Sequence, residues 1–105
     1  MTTLAITGFL ALSAGLLALG IFGILTRRNF ILILIAIEIG MNAAILNFVY
    51  FAAFSGGSAG LNGQAIAVIL VGFAATEVAV GLAIVLALNR LKGTINVAAA
   101  TDLKL

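Results

Sequence analysis

"LILIAIEIGMNAAIL", residues 32–46, decides the fold. One carboxylate, Glu38, stands in a run of Leu, Ile, Ala and Met that no water-facing element could present to solvent. The run continues outward from Phe30 to Phe54 without a proline or a second charge. A helix needs about 20 apolar residues to cross a hydrocarbon core of ~30 Å, and this stretch exceeds that length.

Two further runs flank it, Leu4 to Leu25 and Ala65 to Leu88, and neither contains a proline. The spans 4–25, 30–54 and 65–88, with a peripheral tail at 89–105, make the 105-residue chain a single membrane domain. Only 8% of the residues are charged, against about 25% in a water-soluble domain. The fold class is therefore an all-α integral membrane protein with three transmembrane helices. The first run is not read as a signal peptide: no Lys or Arg precedes it, and it is too long for an h-region. "TRRN" (26–29) joins the first two spans. "SGGSAGLNGQ" (55–64), rich in Gly and Ser, is expected to be a turn-forming loop between the second and third.

Arg27 and Arg28 lie between spans one and two, and Arg90, Lys92 and Lys104 follow span three. Three spans put all five on one side, which the positive-inside rule makes cytoplasmic, with the N-terminus outside. The net charge of +2 thus reads as topology, and no nucleic-acid partner is expected. The chain has no Cys and no His, so thiolate and imidazole ligands for haem, iron–sulfur or most zinc sites are missing. Small residues share one face of span one (Ala11, Gly15, Ala18) and one of span three (Gly72, Thr76, Ala79, Ala83). Such stripes mark close helix packing in lipid.

Glu77, in "GFAATEVAVGLAIVL" (72–86), repeats the oddity of Glu38. Counted from the ends of their runs, Glu38 lies about 12 Å and Glu77 about 16 Å from the cytoplasmic side, roughly one helical turn apart in depth. Each acid costs about 2.5–3.5 kcal/mol at a span centre, which looks expensive without a use. Asn42 is one turn after Glu38 on the same face, where it can support it by a hydrogen bond. Asn47 points to another side and is expected to bond a neighbouring helix. The bland reading is that the two acids are protonated glue between helices. Two at similar depth, with no buried Lys or Arg to pair with, favour proton transfer through Glu38 and Glu77. Three helices cannot enclose a water path, so partner helices are required.

"GIFGILTRRN", "IEIGMNAAILNFV", "GQAIAVILVGFAATEVAVGLAIVLAL" and "RLKGT" together resemble the small three-helix K subunit family of proton-pumping NADH:quinone oxidoreductase, respiratory complex I. The resemblance covers roughly residues 20 to 94. It implies a membrane-arm subunit of the inner (cytoplasmic) membrane, without redox chemistry of its own and not catalytic alone. Its partners would be other membrane-arm subunits, including antiporter-like ones. NADH, flavin, iron–sulfur clusters and quinone would be held by partner subunits, with no cofactor on this chain. Family members carry one glutamate in span two and one in span three along a buried hydrophilic axis, and Glu38 and Glu77 fall at those positions. The tail "TINVAAATDLKL" lacks the usual acidic run, and related enzymes use ferredoxin or a deazaflavin as donor. Competing readings are a rotor-ring proteolipid or a small proton-coupled transporter, built on two or four spans, and a holin, which would leave both acids unexplained.

Overall fold

The computed structural model describes residues 2–102. It is all-helical: α1 is Thr3–Thr26, α2 Phe30–Phe54 and α3 Gly57–Lys92, followed by a 3₁₀ turn at Val97–Asp102. All three α-helices are long and apolar enough to cross a membrane. With no proline and no water to satisfy it, the backbone must close its own hydrogen bonds, and an uninterrupted helix does so.

Polar residues act at the ends. The Thr2 hydroxyl accepts from the Ala5 amide at 3.3 Å. Asn29 Oδ1 accepts from the Ile31 and Leu32 amides at 2.9 and 3.4 Å and starts α2. Gly93, at φ 67°, stops α3 in the left-handed conformation, and its N–H donates to the Asn89 carbonyl at 2.8 Å. Hydroxyls inside the spans turn back on their own helix, as Thr76 does to the Gly72 carbonyl at 2.9 Å.

The expected 55–64 loop is a correction. Only Ser55 and Gly56 connect α2 to α3, which begins at Gly57 and runs for 36 residues. At ~1.5 Å per residue that is about 54 Å, so α3 reaches beyond a ~30 Å hydrocarbon core. The glycines misread as turn residues allow close approach. A β-carbon at Gly63 would lie 2.7 Å from the Ala52 β-carbon, and one at Gly60 would collide with the Ser55 carbonyl.

The molecule measures 53 × 25 × 17 Å and is a flat row of helices. Central α2 packs against α1 on one side and α3 on the other, with no comparable contact between α1 and α3. On α3 the residues facing α2 recur every seven positions: Gly60, Ala67 and Ala74 are covered, Gly81 is half-covered and Leu88 is covered. This is the heptad seam of left-handed helix packing. On α1 the corresponding residues are Ser13, Gly20 and Gly23. A β-carbon at Gly20 would lie 2.8 Å from both the Ala36 carbonyl oxygen and the Gly40 amide nitrogen. Phe9 stacks on Tyr50 at 3.9 Å between centroids, closing the other end of this seam.

The stripes expected to pack are therefore not those that pack within the chain. Ala11, Gly15 and Ala18 are exposed, as are Gly72, Thr76, Ala79 and Ala83. No atom lies within 4 Å of a β-carbon built at Gly15 or Gly72.

The segment after α3 folds back on the α1–α2 turn. Phe30 donates its amide to the Ile95 carbonyl at 2.9 Å, and Val97 donates to the Arg28 carbonyl at 2.7 Å. The Asn29–Asn96 bridge between them is antiparallel. Arg27, Arg28, Arg90 and Lys92 are thus gathered at one end of the molecule, all exposed. Lys104 and the end of the 89–105 tail lie outside the described residues.

Candidate intramembrane carboxyl site

Depth along the helices is set by which residues face each other, and two contacts fix it for α2 and α3. Leu34 of α2 sits against Gly81 of α3, and Ala52 sits against Gly63. The helices are antiparallel, so moving four residues forward from Leu34 and four back from Gly81 brings Glu38 level with Glu77. This corrects the depth difference of one turn. Counting from the ends of apolar runs fails because α3 continues past the apolar run at both ends.

The two acids are level, but they lie on opposite sides of the α2–α3 seam. Glu77 lines a groove of about 620 Å³ with Phe30, Ile33 and Ile37 of α2 and Phe73 and Ile84 of α3. Glu38 lines a second groove, of about 250 Å³, with Ile35 and Ile39 of α2 and Val78 and Leu82 of α3. Helical spacing explains the split. On α3, Val78 and Leu82 fall on one flank of the Ala74–Gly81 line and Glu77 on the other. Glu38 is half-buried and Glu77 exposed.

Leu34 lines both grooves. From the sequence, Gly81 is expected with Ala74 beside Glu77 on one face of span three, and nothing there pairs Gly81 with Leu34. The signal available was the seven-residue spacing of small residues on α3, interrupted in size only at Leu88.

Asn42 is exposed on the Glu38 side of α2 and makes no hydrogen bond to Glu38. Asn47 shares a side of α2 with the buried Ala43 and Tyr50, toward α1. Its Oδ1 is buried with no hydrogen-bond partner among the described residues. Arg27 and Arg28 stand in the α1–α2 turn, far along the chain from either acid. No cluster of three or more His, Cys, Asp or Glu that could hold a metal occurs among the described residues.

What this arrangement can do is hold two proton-binding groups at one level, each opening sideways into an apolar groove. A row one helix thick encloses neither of them. The design implies neighbours on both broad faces.

Residues 8–105 match the family described as NADH-ubiquinone/plastoquinone oxidoreductase chain 4L. The chain is 45% identical over 89 residues to NADH-quinone oxidoreductase subunit K of Anaeromyxobacter sp. (strain K), covering 85% of this chain and 87% of that protein. It is 43% identical over 99 residues to NADH-quinone oxidoreductase subunit K 1 of Syntrophobacter fumaroxidans, covering 94% and 96%. The similarity reaches a chloroplast protein, NAD(P)H-quinone oxidoreductase subunit 4L of Mesostigma viride, at 39% over 92 residues, or 88% and 90% of the two chains.

Proposed function

This chain belongs to the NADH-ubiquinone/plastoquinone oxidoreductase chain 4L family, and on that premise we propose that Glu38 and Glu77 carry protons in the membrane arm of a complex I-like enzyme. It is a multi-pass membrane subunit of an NADH-quinone oxidoreductase. In this reading it resides in the cytoplasmic membrane with its N-terminus outside, and it couples quinone reduction to proton translocation without binding a redox cofactor itself. Electrons pass through partner subunits holding flavin and iron–sulfur clusters. Antiporter-like subunits and other membrane-arm helices cover the two grooves.

The observation that carries this reading is the placement of the acids. The helix register sets Glu38 and Glu77 at one depth on opposite broad faces of a single helix layer. Glue would need only one face, and would be served as well by a neutral amide. A lateral proton path needs a titrating group facing each neighbour, because a proton leaving one subunit must be received before it is passed to the next. Among the described residues no cation lies at that depth: Arg27, Arg28, Arg90 and Lys92 are all at one end.

Glu77→Gln tests it. The amide keeps size and hydrogen bonding but cannot bind and release a proton near neutrality. The variant assembles and loses most proton pumping and coupled quinone reduction in reconstituted complex, Glu77→Asp keeps part of both, and Glu38→Gln is milder. An assembled Glu38→Gln/Glu77→Gln double variant that pumps as the wild type does would leave the acids as glue.

A further inference from the structure

The two carboxyls are level yet separated, so a proton moving between them has to cross the seam where α2 meets α3. At most points that seam is closed by covered small residues, such as Ala67 and Ala74. At one point a flexible side chain closes it. Leu34 borders both the Glu77 groove and the Glu38 groove, and it fills the notch that Gly81 leaves by having no β-carbon. A β-carbon built at Gly81 would lie 2.7 and 3.0 Å from the two δ-carbons of Leu34. The notch is one helical turn from the level of the acids.

We propose that Leu34, seated on Gly81, is an apolar gate that decides whether water joins Glu38 to Glu77. This rests on the reading that the two acids exchange protons. Grooves of about 620 and 250 Å³ have space for several waters each once partner helices cover them, at ~30 Å³ per water. Their walls are almost wholly apolar, so water in them is poorly held, and a constriction of this kind gates by dewetting. With Leu34 in the notch the two grooves are divided. A change of Leu34 rotamer, between the staggered positions open to it, vacates the notch and lets one file of water through. The proton then leaves the protonated carboxyl of one glutamate, passes along the water, and is taken up by the carboxylate of the other. Only O–H bonds break and form. Leu34 is a positioning residue for that step. It holds the water path shut until charge on either side favours wetting.

The test uses the whole assembled complex in proteoliposomes. Leu34→Ala leaves the seam open, so passive proton leak rises on the order of tenfold, and quinone reduction no longer slows as the proton gradient builds. Leu34→Val gives an intermediate leak and takes the place of the Ala variant if that complex does not assemble. Leu34→Met refills the notch with similar volume and restores tight coupling. In Leu34→Ala/Glu77→Gln the leak returns to the wild-type rate, because the opened path then ends on an amide that cannot take up or release the proton. A leak that persists in that double variant would show a packing defect in place of a gate, and the proposal would fall. It would fall equally if assembled Leu34→Ala and Leu34→Val both leaked and pumped as the wild type. In either case Glu77→Gln alone still reports on the relay: loss of pumping there keeps the acids as proton carriers while the gate is discarded.

Discussion

The two seams that hold α2 in place are built on different contacts. Between α1 and α2, backbone meets backbone: Gly20 sits where any β-carbon would strike the Ala36 carbonyl and the Gly40 amide. A buried hydroxyl there, that of Ser13, donates to its own helix at the Leu10 carbonyl, 3.1 Å away. Between α2 and α3, small residues recur in a heptad, but at Gly81 the contact is the tip of a leucine. Grooves open on both flanks of that seam, and both acids line them. The closed seam holds only packing residues, and the looser seam holds the candidate site. Close packing has few alternative arrangements, so the motion proposed to open a water path falls to the contact that can yield.

The same substitution at two glycines separates them. Gly20→Ala places a β-carbon 2.8 Å from backbone atoms that cannot move without shifting the helix. The expected loss is about 3 kcal/mol, at the upper end of overpacking penalties, and it is seen as loss of the subunit from purified complex. Gly81→Ala meets the Leu34 side chain first, its δ-carbons at 2.7 and 3.0 Å, and these can rotate away. Its stability loss is about 1 kcal/mol or less. Equal losses at both positions would erase the distinction between the seams.

How far these differences could be read from the sequence depends on the contrast available. Length and the lack of proline were enough for α1 and α2, because nothing else suits such runs. The start of α3 was misread. Gly60 and Gly63 have the composition of a turn, yet they serve as contact points opposite Ser55 and Ala52. The heptad from Gly60 to Leu88 was legible as a period and would have extended the helix. The small-residue stripes fall outside the two seams within the chain for a different reason. In water, polar and apolar faces reveal which side is inner. Here every side is apolar, and small residues on α1 occur on two sides at once. Both acids stand out in the sequence by their cost in hydrocarbon. Their opposite placement was not legible there, because it depends on register, which only a contact such as Leu34 with Gly81 fixes.

Both seams share an end, and that end is pinned by the returning tail. Asn29 caps α2 through its side chain, while the neighbouring Phe30 and Arg28 backbones pair with Ile95 and Val97. Asn29→Ala removes the cap and leaves the backbone pairing in place. The expected cost is about 1 kcal/mol, read as a lower unfolding temperature of the complex with protons pumped per electron pair unchanged. A fall in that ratio at unchanged stability would instead tie the cap to the α2–α3 site.

The smallest effect is expected on the outer side of α1. Gly15 and Ser13 are two residues apart, which is about 200° around a helix of 3.6 residues per turn, so they face nearly opposite ways. Ser13 is buried against α2, whereas Gly15 is exposed with nothing within 4 Å of an added β-carbon. A methyl group there touches neither seam. Gly15→Ala also removes a residue that favours helix less than alanine does, so the helix itself is not weakened. The expected change is within about 0.5 kcal/mol of wild type, measured as unfolding temperature and as the fraction of subunit retained in purified complex. The matched measurement is Gly20→Ala, five residues along the same helix on its inner side. If Gly15→Ala released the subunit as readily as Gly20→Ala does, the Ala11–Gly15–Ala18 stripe would itself be a third close seam, made with a helix of a partner. The ranking of seams would then have to be drawn across subunits and not within this chain.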